Sequence, residues 1–336
     1  MSSIDRDAGR LGESSGAVLA RWLARFALPI VIVLMEIGFS LAEPAVLSSR
    51  NLLNVLEHAS YLVILATGQL IVILTRGFDL SLGMCVSAVS VLAALVMTGI
   101  VGGGDGGLVL GIGLGILAGL GVGLGVGLFN GVVVAYWRVN PFAATLGSLY
   151  ICYCIASTSS GGTPVFNVPD EFSQLFYSGT VLHVPATVII AVVVCVAVWL
   201  LLERTVFGRS LYIIGSNPRA ARLAGLPNLR FLALAYVACS LLAAIGALVL
   251  TARTGSGEPN LGGSLMLESI AAAVIGGVSL EGGVGGVMSA VLGSIFVTIL
   301  DNSMDLLQVS GYIQQILLGC VIIIAIFLDR LRTRRA

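Results

Sequence analysis

The sequence contains no lysine, and all 17 of its basic residues are arginine in a chain of 336 residues. A nucleotide-binding P-loop requires a lysine that contacts the phosphates. The chain therefore cannot form a standard P-loop, and any ATP-driven work would need a second protein to hydrolyse the ATP. Histidine is also scarce, with only His58 and His183, so no zinc site of the usual type is expected.

Charged residues of both signs are scarce, at 10% of the chain, whereas hydrophobic residues make up 57%. A soluble domain has about 25% charged residues. The mean hydropathy is +1.05. A chain with so little charge cannot cover a water-exposed surface, so the composition indicates a protein whose main solvent is the lipid bilayer.

The six cysteines do not form a recognisable reactive or metal-binding pattern. Cys152 and Cys154 lack the spacing of metal ligands, and the others occur singly in apolar runs. We interpret all six as small, buried residues. The sequence also lacks a nucleophile elbow and a plausible Cys–His pair, so we predict no catalytic residue, no metal and no cofactor in this chain.

Ten apolar runs approach the length of about 20 residues that a helix needs to cross a bilayer. They cover residues 26–42, 59–75, 80–100, 108–137, 141–157, 186–202, 231–251, 265–278, 284–300 and 313–328. The fourth run is long and the eighth is short, which widens the range to between eight and eleven spans. The predicted fold class is an all-α polytopic membrane protein with about ten transmembrane helices.

The arginines predict the orientation of these spans. With ten spans and both termini in the cytoplasm, 15 of the 17 arginines lie on the cytoplasmic side, and only Arg50 and Arg253 lie outside. The positive-inside rule favours this arrangement. We predict a cytoplasmic tail over 1–25, a multi-pass transmembrane domain over 26–328 and a basic cytoplasmic tail over 329–336.

The segment TRGFDLSLG, residues 75–83, places charges between the second and third spans. Arg76 is interpreted as a positive-inside anchor. Asp79 is predicted to cap the third helix through the amide of Ser81 or Leu82. The alternative, that Asp79 lies directly in a transport path, remains open at this stage.

The fourth span has glycine at every fourth position. These helix-packing glycines are Gly111, Gly115, Gly119, Gly123 and Gly127. Residues four apart lie on one face of a helix, so they predict a glycine ridge against which other helices pack closely.

The only long basic stretch between spans covers residues 203–230. We predict breaks in it at Gly208, Gly215 and Pro227. Between the breaks, residues 217–223 are predicted to form a short helix that Asn217 caps. Such a helix could be a docking element, or the stretch could be an ordinary loop that sets orientation.

Four motifs occur in order along the chain: GFDLSLG, FNGVVVAYWRVNPFAATLGSLY, VFGRSLYIIGSNPRAARLAGL and AAAVIGGVSLEGGVGG. Together they resemble the permease subunit of the bacterial ribose/xylose/galactoside class of ATP-binding-cassette (ABC) importers, within the branched-chain amino acid/ribose permease superfamily. The resemblance runs from about residue 50 to the C-terminus. The family more often has Gly-Gly-Ile where this chain has Arg76, Gly77 and Phe78.

The resemblance implies that this chain is a transport subunit without its own ATPase site, which translocates a ribose-like pentose or a hexose by alternating access. It also implies that residues 26–328 form a permease domain and that the multi-pass chain lies in a bacterial plasma (inner) membrane. The implied partners are an ABC ATPase that binds ATP and Mg, an extracytoplasmic sugar-binding protein, a second permease subunit (identical or a paralogue) and the lipid bilayer. Nucleic acid is not an expected partner. The resemblance assigns the segment 207–225 to the family's coupling helix, which gives a set of predicted coupling residues. They are Phe207, Gly208, Arg209, Gly215, Asn217, Ala220, Ala221, Leu223 and Gly225.

A path for a neutral sugar should be lined by small polar groups. The predicted path residues are Asp79, Ser81, Asn130, Thr145 and Ser148. Two alternatives remain: an ion-coupled secondary transporter, and an ABC permease for another solute such as a branched-chain amino acid. Ion coupling would use ionisable groups in the membrane, and the candidates are Glu36, Glu57, His58, Glu268 and Asp301.

Overall fold

The computed structural model of the chain describes residues 15–102 and 107–333. The first 14 residues of the predicted N-terminal tail and the last three residues of the predicted C-terminal tail lie outside the described residues. Within the predicted tail, the first helix already begins at Ser15, which is well before the apolar run that starts at Phe26.

Thirteen α-helices account for most of the described residues. They are α1 (Ser15–Ala42), α2 (Ser49–Ile73), α3 (Leu82–Val101), α4 (Gly107–Gly131), α5 (Pro141–Ser159), α6 (Asp170–Ser173), α7 (Ala186–Arg204), α8 (Val206–Ser216), α9 (Pro218–Leu223), α10 (Asn228–Thr254), α11 (Leu265–Ile275), α12 (Val287–Leu306) and α13 (Gly311–Thr333). A 3₁₀ turn covers Pro44–Leu47, and π-helical turns cover Val132–Tyr136 and Gln174–Ser178.

Seven helices of the described chain are long and apolar enough to cross a membrane, by length and composition. They are α2, α3, α4 with its π-helical extension, α5, α7, α10 and α12. Shorter apolar helical stretches cover Phe26–Ala42, Leu265–Ile275 and Gly311–Phe327. The predicted all-α polytopic class is confirmed, and each predicted apolar run corresponds to one of these helices.

Helix α10 occupies the centre of the fold, where it packs against α2, α3 and α4. On one side, α3 also packs against α4 and α5. On the other side, α2 packs against α7, α11 and α12. The two buried apolar clusters follow this division, and both include side chains of α2 and α10.

The glycine ridge of α4 lies against α3 and α10. A Cβ atom at Gly111 would lie 2.7 Å from Val101 of α3, and one at Gly123 would lie 2.7 Å from the backbone oxygen of Ser240 on α10. A Cβ at Gly127 would lie 2.6 Å from the Cα of Val237. Helix backbones this close leave no space for a side chain, which is how small residues stabilise membrane helix pairs without a hydrophobic driving force.

We expect alanine at Gly123 to lower the stability of the protein by about 1–3 kcal/mol, the usual cost of overpacking a tight contact. Gly125 lies on the opposite face of α4, and nothing lies within 4 Å of a Cβ built there. Gly125→Ala is therefore the matched control and should leave the protein unchanged. The measurement is thermal unfolding in mild detergent, and equal melting temperatures for the two variants would contradict the packing.

Residues 255–264 connect α10 to α11 as a non-helical stretch of turns that runs along α3. The amide of Gly262 donates to Ser87 Oγ over 3.0 Å, and the amide of Glu258 donates to Ser90 Oγ over 3.2 Å. Non-helical backbone is tolerated at membrane depth only where other protein groups satisfy it. The two serines of α3 satisfy two of the amides of this non-helical stretch.

One small hairpin interrupts the helices between α6 and α7. Strand β1 (Thr180–Val181) pairs antiparallel with β2 (Val184–Pro185). Leu182 and His183 form the two-residue turn with φ angles of 52° and 65°, which is the pattern of a type I′ hairpin. The sequence did not predict these strands. Leu182 is 90% exposed at the tip.

Candidate functional site

The basic stretch after α7 forms two consecutive helices, α8 and α9. Thr205 caps α8 by accepting the amide of Gly208 over 3.1 Å. Asn217 caps α9 by accepting the amides of Arg219 and Ala220 over 3.1 and 3.0 Å. Gly225 follows α9 with a φ of 73°, a conformation that glycine adopts without strain after a helix. The predicted short helix is confirmed, with Pro218 as its first residue.

The predicted breaks at Gly208 and Gly215 are wrong, because α8 runs through both residues to Ser216. Both glycines instead permit close approach. A side chain at Gly208 would meet the backbone of Leu201 and Leu202, and one at Gly215 would meet the backbone oxygen of Leu74. Glycine has a low helix propensity, so a glycine in the sequence can indicate either the end of a helix or a close packing contact. The sequence alone could not distinguish the two.

The structure separates the predicted coupling residues into two groups. Gly208, Gly215 and Ala221 are buried, and Phe207 packs against Phe231 with ring centroids 6.0 Å apart. The other five are exposed and define what we call the α8–α9 surface. They are Arg209, Asn217, Ala220, Leu223 and Gly225.

Leu223 is the most exposed apolar side chain of the α8–α9 surface, at 90%. Arg209 of α8 and Arg219 and Arg222 of α9 are also exposed and give these two helices positive charge. An apolar side chain at the end of a short helix, with a basic rim, is suited to insertion into an apolar pocket whose edge is acidic.

A tyrosine connects α8 to the glycine-rich loop between α11 and α12. Tyr212 Oη donates to the carbonyl of Gly285 over 3.0 Å. Partial burial, and secondarily the nearby carboxylate of Glu203, raise the pKa of the Tyr212 phenol above its ordinary value. The phenol therefore keeps its proton at physiological pH and remains a donor to the loop.

Four of the five predicted path residues come together in one buried network. Ser148 Oγ of α5 donates to Asn130 Oδ1 of α4 over 2.7 Å, and Asn130 Nδ2 donates to Ser81 Oγ over 2.8 Å. The Ser81 hydroxyl in turn donates to Asp79 Oδ1. All three donors point towards the carboxylate, so each bond polarises the next and strengthens it.

The predicted cap is present, because Asp79 Oδ1 also accepts the amide of Ser81 over 3.0 Å. Asp79 is fully buried, however, and faces Cys239 and Ser240 of α10. Among the described residues, its Oδ2 has no hydrogen-bond partner within 3.5 Å. The segment 75–83 is therefore not a simple surface turn, because Arg76 is exposed whereas Asp79, three residues later, is fully buried.

The fifth predicted path residue, Thr145, donates to the carbonyl of Pro141 over 2.8 Å and is also buried. None of the five side chains reaches the surface of this single subunit. Their role in lining a path remains a prediction, and in the described conformation they hold α3, α4 and α5 together.

Several of the ionisable candidates collect at the other end of α2. Arg253 Nη2 lies 2.7 Å from His58 Nε2, and its guanidinium lies 5.7 Å from the ring centroid of Tyr61. The charges of Glu268 and Asp301 interact with each other and with Tyr61. Glu268 lies on α11 and Asp301 on α12, and these two helices pack against each other and against α2.

Among the described residues, no group of three or more His, Cys, Asp and Glu side chains could hold a metal ion. The interior of the helical bundle carries a polar network, and one end carries a helical projection with an exposed apolar tip. These features define a polytopic helical membrane protein with a buried polar network and an exposed pair of short helices at one end.

The comparison with protein families gives a specific result. Residues 51–326 match the family described as "Branched-chain amino acid transport system / permease component", and the chain belongs to this family. The match covers every motif on which the resemblance rests.

Curated relatives extend over nearly the whole chain. The ribose import permease protein RbsC of Bacillus subtilis is 36% identical over 313 residues, which are 93% of this chain and 92% of that protein. RbsC of Escherichia coli K12 is 33% identical over 92% of this chain and 94% of its own. The galactose/methyl galactoside import permease protein MglC of Salmonella typhimurium is 33% identical over 94% and 96%. No solved structure matches the chain.

Proposed function

We propose that this protein is the membrane-spanning permease of an ATP-driven importer for a simple sugar, either a ribose-like pentose or a hexose. The observation that carries the proposal is the similarity to ribose and galactose import permeases along more than nine-tenths of the chain. The family description also includes permeases for branched-chain amino acids, so the sugar class rests on the relatives.

The α8–α9 surface is the proposed contact with the ATPase. Burial of a leucine side chain contributes about 1.5–3 kcal/mol, and Leu223 presents nearly its whole side chain for such burial. The surrounding arginines would steer an acidic partner surface into register. ATP and Mg would be bound by that partner, which agrees with the absence of lysine from this chain.

Ten membrane crossings with both termini in the cytoplasm complete the proposal. The seven long apolar helices and the three shorter ones supply that number. Helix α11 has only 11 residues, and in this proposal the non-helical stretch 255–264 that precedes it adds the missing length. In this topology α8 and α9 face the cytoplasm, and the β1–β2 hairpin faces outside.

The remaining partners follow from the import function. An extracytoplasmic sugar-binding protein would deliver the sugar, and a second permease subunit, identical or a paralogue, would complete the path. The exposed apolar faces of the long helices would contact lipid or that second subunit. The transported sugar would pass between two such subunits by alternating access.

The proposal is tested by affinity capture from mild detergent, followed by uptake of radiolabelled ribose and galactose into vesicles. We expect a stoichiometric ATPase to co-purify, and we expect uptake to continue when the proton gradient is collapsed while ATP is kept. A chain that purifies alone, with uptake that stops when the gradient collapses, would refute the importer. Such a result would direct attention to Glu268 and Asp301 as the coupling acids.

A further inference from the structure

Arg76 adopts a backbone conformation that is unusual for its residue type. Its φ is 66°, in the left-handed region, where a residue with a Cβ pays a steric cost that glycine avoids. Such conformations persist only where the surroundings over-determine them. The side chain of Arg76 makes contacts that can offset this cost.

The Arg76 guanidinium holds the end of α8. Its Nε donates to the carbonyl of Gly215, and its Nη2 donates to the carbonyl of Ser216 over 2.9 Å. These are the last two residues of α8, where helix carbonyls lack intrahelical partners and positive charge is favourable. The planar guanidinium presents its donors in a rigid fork that suits two neighbouring acceptors, whereas the donors of an ammonium group rotate freely about one nitrogen.

The same point receives the glycine-rich loop between α11 and α12. The amide of Gly283 donates to the carbonyl of Leu74 over 2.9 Å. A Cβ at Gly282 would lie 2.5 Å from Cγ of Arg76, and one at Gly283 would lie 2.6 Å from the amide nitrogen of Ser216. The end of α8, the 74–76 turn and the loop are therefore packed together without space between them.

The turn that carries Arg76 continues directly into the buried network. Asp79 lies three residues later and bonds to Ser81, to which Asn130 of α4 donates. Ser148 of α5 donates to Asn130 in turn. The end of α8 is therefore connected to α3, α4 and α5 by a continuous series of hydrogen bonds and by the short backbone segment between Arg76 and Ser81.

We propose that Arg76 is a positioning residue that transmits movement of the α8–α9 helices to the membrane interior. When the α8–α9 surface is displaced, the guanidinium moves the 74–83 turn with α8, and Asp79 carries that movement to α3, α4 and α5. This inference rests on the proposed function, because it requires a partner that displaces α8 and α9.

The test uses the complete complex in proteoliposomes and measures molecules of radiolabelled ribose or galactose taken up per ATP hydrolysed. Arg76→Gly removes the guanidinium and relieves the backbone, so we expect it to fold and to bind the ATPase. The uptake per ATP should fall about tenfold or more. Arg76→Lys keeps the positive charge for membrane orientation but lacks the rigid fork that holds both carbonyls, so its ratio should fall less, in the same direction.

Arg138→Gly is the matched control. Arg138 also has a positive φ, of 56°, and is exposed, and its side chain makes no hydrogen bond to any of the described residues. Its loss should leave the ratio unchanged.

Three outcomes would overturn the inference: a normal ratio in Arg76→Gly, an equal fall in Arg138→Gly, or failure of Arg76→Gly to bind the ATPase, which would mean that Arg76 only shapes the docking surface. Failure of the unaltered chain to bind any ATPase would instead refute the proposed function.

Discussion

Replacing Leu223 with aspartate is expected to abolish capture of the ATPase while leaving the permease folded. The side chain is 90% exposed, and substitutions at such positions usually change folding stability by no more than about 0.5 kcal/mol. An apolar residue at the centre of an interface can contribute about 2 kcal/mol or more, and a buried, unpaired carboxylate adds a further penalty. We therefore expect binding to weaken about thirtyfold or more.

The protein contains a matched control for this substitution. Leu182, at the tip of the β1–β2 hairpin, is also 90% exposed. The hairpin lies before the N-terminal end of α7, whereas α8 and α9 follow the C-terminal end of α7. Helix α7 has 19 residues, which separates its two ends by about 28 Å. Leu182→Asp should therefore leave ATPase capture unchanged. Equal capture by both variants would show that the α8–α9 surface is not the docking site.

Replacing Asp79 with leucine is expected to have the largest effect on folding. The substitution removes the acceptor for the Ser81 amide and hydroxyl and for Asn130 in a fully buried site. Each unsatisfied buried group costs about 1–3 kcal/mol, against a total stability of about 5–15 kcal/mol for typical proteins. We expect the yield of monodisperse protein in mild detergent to fall severalfold, together with the melting temperature.

Asp79→Asn separates the structural role from a transport role. Asparagine keeps an oxygen that can accept the Ser81 amide, and it removes a charge from a site where Oδ2 has no partner. We expect this variant to fold normally. If it folds but takes up about tenfold less sugar, the carboxylate itself acts in transport, as the predicted path requires. If Asp79→Leu folds as well as the unaltered chain, the network does not stabilise the fold.

The membrane class, the helical class and the position of nearly every apolar run were predictable from the sequence. These features depend on local composition, because a run of about 20 apolar residues partitions into lipid regardless of its neighbours. The cap of α9 by Asn217 was predictable for the same reason: a capping side chain and the amides it bonds lie within three residues of each other.

Features that depend on two distant segments were not predictable in this way. Gly215 was predicted to be a helix break, but it faces the backbone oxygen of Leu74, a residue far away along the chain. Arg76 was interpreted only as a residue that sets membrane orientation. Its contact with α8 was not predictable, because its acceptors on Gly215 and Ser216 lie about 140 positions away along the chain.

The sequence was sufficient to predict that this protein is embedded in the bilayer and that it cannot hydrolyse ATP through a P-loop. It was also sufficient to identify the stretch that projects from the helical bundle. These properties follow from residue types and short spacings. Only the packed structure shows which of the projecting residues are exposed. It also shows the hydrogen-bond network of Asp79, Ser81, Asn130 and Ser148, and the contact by which Arg76 connects this network to α8. These contacts could not be predicted from the sequence, because a hydrogen bond between two helices depends on their relative register. That register is set only when all the helices of the bundle pack together.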